Sequence, residues 1–136
     1  MLFKGKEQII RDVIYLAESW KNLHDSSGFE GSSLKEIREF EATPTGRKIQ
    51  AAEDALYSYM MALSVEDVKM LKAIMYLGRD RDYDKSLSPF EIYNDYFEYI
   101  GKGGWKSKEI GVNQMTEKMP LANYLKSGLN ILEVVI

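Results

Sequence analysis

The chain has 136 residues, 45% hydrophobic and 29% charged, with a formal net charge of −3. That length suits one domain able to bury a real core, and the acidic balance gives no general attraction to nucleic acid or anionic lipid. With no cysteine and a single histidine, His24, disulfides, thiolate catalysis, sulfur-ligated zinc and a multi-histidine metal site within one chain are excluded.

The dominant hydrophobic period is helical. In GKEQIIRDVIYLAESWKNL, residues Ile9, Ile10, Val13, Ile14, Ala17 and Trp20 form one stripe at spacings of three and four. The start, MLFKGKEQII, runs into charge too soon for a signal peptide. No apolar run approaches the roughly 20 residues needed to span a bilayer, so the cytoplasm is the expected address. His24, near the helix end, is expected to meet the terminal carbonyls. HDSSGFEGSS interrupts the pattern, and residues 24–33 are the expected hinge or proteolysis site.

Ser33 is placed to cap a short second helix carrying Leu34, Ile37 and Phe40, with Pro44 just past its end. A third helix follows in TGRKIQAAEDALYSYMMAL, with Ile49, Ala52, Leu56, Tyr59 or Met60, and Leu63 inward. Ser64 and Asp67 resemble a capping box that opens VEDVKMLKAIMYL. Gly78 is then expected as its left-handed C-terminal cap. Ser88, Pro89 and Glu91 combine a capping serine, a proline at the first helical position and a reciprocal glutamate. That helix is expected to reach about Ile100 and to bury Phe90, Tyr93, Phe97 and Ile100. GKGG ends it. A further helix, from near Trp105 or Ser107, carries Ile110, Val112 and Met115, and Pro120 starts the last, with Leu121, Leu125, Leu129 and Leu132 in line.

The expectation is therefore a single all-α domain over residues 1–136, a compact bundle of six or seven short helices. Residues 1–62 supply the N-terminal helices and 63–136 a second helical half. Only the β-branched end, EVVI, hints at anything else.

LKAIMYLGR followed by MPLANYLKSGLNIL resembles the pattern of a small bacterial domain family of unknown function. In that pattern an apolar helix ends in Gly-Arg, and a Pro-Leu-x-x-Tyr-Leu-x-x-Gly-Leu segment closes the domain. The resemblance covers residues 63–134 and implies a helical fold. It marks Gly78, Arg79, Pro120, Tyr124 and Gly128 as positions of interest and carries no activity with it.

Three segments invite a chemical reading. DRDYDKSLSPFE, residues 80–91, has oxygens at the spacing of an EF-hand loop. Asp80, Asp82 and Asp84 stand at positions one, three and five, Ser86 at seven, Ser88 at nine and Glu91 at twelve. Against calcium, Lys85 occupies the position where a sharp turn calls for glycine, Arg79 precedes the loop, and residues 25–36 fail as a paired loop. The expected reading is a polar turn without calcium, whose glutamate caps a helix.

Residues 80–100 hold six acids against two bases, a net of −4, while residues 101–136 carry +2. At 100° per residue, Glu91, Asp95 and Glu98 share one helix face, with Tyr96 at its flank and Tyr99 nearly aligned with it. These five residues are the candidate partner-binding surface, suited to a basic protein. GKGGWKSK, residues 101–108, offers backbone amides and lysines for a phosphate, although a flexible turn explains it as well.

No nucleophile–histidine set, metal cluster or cofactor loop is recognised, so no catalytic residue is assigned. The function expected is non-enzymatic, through protein–protein contact or self-association as a homodimer. A calcium module on the 80–91 loop and a carboxylate-based enzyme are the alternatives. Neither a membrane nor nucleic acid is an expected partner.

Overall fold

A computed structural model describes residues 2–136. Seven α-helices follow one another: α1 Glu7–Ser26, α2 Leu34–Glu41, α3 Pro44–Met61, α4 Val65–Asp80, α5 Pro89–Tyr99, α6 Lys108–Thr116 and α7 Leu121–Ile131. A π-helical turn, Ile100–Gly104, links α5 to the segment before α6. Helix accounts for 73% of the chain, so the expected helical bundle is met, and no strand occurs among the described residues. No helix among them is long and apolar enough to cross a membrane.

The helix starts follow local chemistry. Ser33, Thr43, Ser64, Ser88 and Ser107 each sit in extended backbone and accept a hydrogen bond from an amide three residues on. Each satisfies one of the donors that a helix start leaves without an internal partner. Ser88 and Glu91 form a full reciprocal box. Ser64 does not: the Asp67 carboxylate turns away from its cap and takes Lys6 Nζ at 2.9 Å, tying the N-terminal turn to α4. Pro44 lies at the first turn of α3 rather than in a gap, because Thr43 caps that helix directly.

The core is organised around α4. Its residues Val68, Met70, Leu71, Ala73, Ile74, Met75, Leu77 and Gly78 are buried, so the helix is covered on nearly all sides. It packs against α5, α6 and α7, while α1 packs on α3 and α7. The α1 stripe turns inward as Ile10, Val13, Ala17 and Trp20, and α7 contributes Leu121, Leu125 and Leu129, followed by Leu132.

Several expectations are corrected. Gly78 does not cap α4. The helix runs on to Asp80, and Arg81 takes the left-handed position at φ 55°. The reason is tertiary: Gly78 lies where α4 crosses α7, and a Cβ there would collide with the Tyr124 carbonyl oxygen and come within 2.6 Å of the Gly128 nitrogen. The chain accepts a left-handed arginine, at about 1–2 kcal/mol, and Arg81 Nη1 donates to Ser127 Oγ at 2.9 Å.

On α5 the buried residue is Ile92. Phe90 stays 64% exposed, while Tyr93 and Phe97 are half-buried. The helix is rolled because Phe3, from the N-terminal turn, meets Tyr93 edge-on at 4.9 Å. Leu34 and Ile110 are likewise exposed rather than inward. His24 is exposed and faces Asp25, with Nδ1 3.9 Å from Oδ1, while its backbone carbonyl is capped by Ser27.

Candidate functional site

The C-terminal end of α4 and the second half of α5 enclose one open concavity of about 380 Å³, lined by Asp80, Asp82, Asp95, Tyr96 and Tyr99. Sequence spacing alone splits these residues between a loop and a helix face. The fold joins them because the chain doubles back after Arg81 and is pinned there: the Tyr96 hydroxyl donates to the Asp82 carbonyl. Burial, and then the charges of Asp80 and Asp82, push the Tyr96 phenol upward, so it remains a donor at neutral pH.

The carboxylates differ in their neighbours. Asp80 is held by Arg79 Nε at 2.8 Å, and the Arg79 guanidinium lies 4.5 Å from the centre of the Tyr76 ring. Asp82 and Asp95 join no ion pair among the described residues. Tyr99 is 75% exposed at the rim. The concavity thus presents two unneutralised carboxylates beside two phenolic rings.

Of the five residues expected to bind a partner, Asp95, Tyr96 and Tyr99 meet here. Glu91 lies at the far end of α5, where its carboxylate accepts the Ser88 amide at 3.1 Å. Glu98 stands apart, 3.5 Å from the Asn94 amide. Five of the six residues proposed as calcium ligands have separate local roles, and the Asp82 carboxylate has no partner among the described residues. Asp84 Oδ1 accepts from the Ser86 amide and hydroxyl at 2.9 and 2.7 Å, Asp80 pairs with Arg79, and Ser88 and Glu91 cap α5. No group of three or more potential metal-ligating side chains forms among the described residues.

A second concavity, about 490 Å³, lies under α2 between α1 and α3. Trp20, Phe29, Phe40, Ile49 and Met119 form its apolar wall, and His24 and Glu53 reach its rim. Burial, then the charges of Asp54 and Glu41, raise the Glu53 carboxyl. Glu53 had no mark in the sequence beyond being one acid on an amphipathic helix.

The residue most at odds with its surroundings is Lys72. It is 3% exposed, yet among the described residues its ammonium has only the Gly104 carbonyl, at 3.4 Å, as a hydrogen-bond partner. Desolvation, and then the nearby charge of Lys118, lower its pKa. A sequence signal existed: Lys72 interrupts the apolar run MLKAIMYL, which is too evenly apolar for a surface helix. Compared with known family models, curated proteins and solved structures, the chain shows no match.

Proposed function

We propose that this protein is a small intracellular binding module whose α4–α5 concavity takes a basic segment of a partner protein. The observation that carries this reading is the convergence of Asp82, Asp95, Tyr96 and Tyr99, from two elements, on one open face with two carboxylates left unpaired among the described residues. A lysine or arginine side chain supplies the missing charge and lies against the tyrosine rings, where a cation gains about 0.5–1 kcal/mol at an exposed site. Tyrosine loses little conformational freedom on burial and is favoured at interfaces.

The test is calorimetric titration with a short lysine- and arginine-rich peptide and with an acidic peptide of equal length. The basic peptide is expected to bind saturably, more weakly as salt rises, and to lose binding with Asp95→Lys or Tyr99→Ala. Equal response to both peptides, or no effect of those substitutions, overturns the proposal.

A second reading, self-association, is favoured by the C-terminal tail. Val135 is 91%, Tyr15 70% and Phe90 64% exposed. The tail separates two apolar grooves, one lined by Ile14, Tyr15 and Leu129, the other by Phe3, Pro89 and Phe90. Contiguous exposed apolar surface of this kind marks a contact, and a second copy of the chain is the occupant proposed.

A further inference from the structure

The geometry points to an oxyanion site, for a phosphate group carried by a small molecule, formed by Lys69, Lys72 and Lys118 around the rings of Tyr76 and Trp105. It is separate from the acidic concavity and opposite to it in charge preference. Lys69 and Lys72 lie 5.3 and 5.6 Å from the centre of the Trp105 ring. Lys72 and Lys118 each lie 5.7 Å from the centre of Tyr76. Three ammonium groups therefore share two adjoining rings, which brings like charges together without a matching set of anions.

The nearby acids do not balance them. Among the described residues, Lys69 and Lys72 meet no carboxylate, Lys118 donates to the Gln114 carbonyl at 2.6 Å and has Glu117 at 3.4 Å, and Asp80 is engaged by Arg79. Lys72 is the group most in need of an anion. An ammonium carries three donors, and burying it without an anion is costly. Ring faces relieve that cost only in part, and the single carbonyl contact is long. A phosphate dianion supplies the acceptors and the charge that Lys69 and Lys72 lack.

Access is one layer deep. The carbonyl that touches Lys72 belongs to the Ile100–Gly104 turn, and Gly101, Lys102, Gly103 and Gly104 are all exposed. Positions Gly101, Gly103 and Gly104 have open space where a side chain would project. The glycine-rich, basic GKGGWKSK segment thus lies directly over the buried lysine, and its half-buried Trp105 forms one wall.

The test is calorimetric titration of the full chain with inorganic phosphate and with adenosine monophosphate, at ionic strength matched with chloride. Saturable binding of either is expected, and the two arms separate free phosphate from an ester whose planar base gains from Trp105. Lys72→Met is expected to abolish binding while raising the melting temperature in chloride, since it removes the buried charge and keeps the apolar stem. Lys69→Ala and Lys118→Ala, both nearer the surface, are each expected to weaken binding about tenfold, the loss of one charge-assisted contact. If Lys72→Met does not fold, the Lys69→Ala, Lys118→Ala double variant carries the test. No saturable signal into the millimolar range, an equal signal from added chloride, or undiminished binding in these variants overturns the inference.

Discussion

Gly78 on α4 and Gly128 on α7 face each other where the two helices cross. A Cβ on Gly78 would come within 2.6 Å of the Gly128 nitrogen, and one on Gly128 would meet the Ile74 side chain at 2.9 Å as well as its carbonyl. Both backbones approach too closely for any side chain. In an ordinary exposed helix, Gly→Ala stabilises by up to about 1 kcal/mol. At Gly78 the sign reverses, and Gly78→Ala is expected to cost about 3 kcal/mol by forcing apart the principal helix pair of the core. Gly101→Ala, at a position with open space, is the control and is expected to be nearly neutral. Urea midpoints decide between these outcomes; a Gly78→Ala chain as stable as the parent refutes the packing argument.

The phenol of Tyr59 ties α3 to α1 by donating to Asp12 Oδ2 at 2.8 Å. Burial and this carboxylate push Tyr59 up to about 12. Tyr93 is raised in the same direction by burial and by the charges of Glu66 and Asp67. An unfolded tyrosine ionises near 10 while these keep their protons, so their contribution is complete below pH of about 10 and is lost as pH rises toward 12. The absorbance of tyrosinate is expected to show a late-titrating set, and the urea midpoint to fall between about pH 10 and about pH 12. Tyr59→Phe is expected to flatten that fall and to cost about 1 kcal/mol at neutral pH. An unchanged alkaline slope in this variant counts against the pair. Asp12 is not left bare by the change, because Gln8 Nε2 donates to its other oxygen at 2.7 Å.

Calcium is expected to give no heat with the native chain up to millimolar concentration, since binding in the 80–91 loop requires Glu91 to leave the α5 cap. That cap is lost in Ser88→Ala, with about 1 kcal/mol of stability. The Glu91 carboxyl is held low by the Ser88 amide and hydroxyl. Its share of stability is therefore present above the ordinary glutamate pKa and disappears as pH falls through the lowered native value. A micromolar calcium midpoint removed by Glu91→Gln would reverse the assignment.

Self-association is expected at tens of micromolar protein, with Phe90 inside the contact. Sedimentation should show at least a dimer, and Phe90→Glu should return a monomer with unchanged circular dichroism. A monomeric parent chain rules out the tail as a homotypic interface.

Most helix starts were legible in the sequence because capping is local: Ser33, Ser64 and Ser88 each announce the helix that follows, while the start of α6 was open between Trp105 and Ser107. Gly78 was not, because a glycine near the end of an apolar helix carries the same signature whether it turns the chain or admits a neighbour. Only the placement of Gly128 separates the two. The Phe90 expectation failed because an angular count fixes relative faces but not which face docks, and Phe3 set that roll from outside the helix. Half of the acidic concavity was readable as the Asp95–Tyr96–Tyr99 face. Asp80 and Asp82 joined it through the fold-back after Arg81. Lys72 is visible in the sequence as a break in an apolar run, but its burial comes from tertiary cover, including the Gly104 carbonyl from the turn after α5.

The α2 helix has no fully buried residue. Its hold on the rest of the molecule is narrow: Phe40 on the core, a Phe29–Phe40 stack at 4.2 Å, and packing on α3. Little apolar area opposes its release, so residues 27–43 can lift as a unit at a free-energy cost well below that of global unfolding. The protein then has two melting scales. Amides of α2 are expected to exchange with solvent through this small opening, and those of α4 only when the whole bundle comes apart.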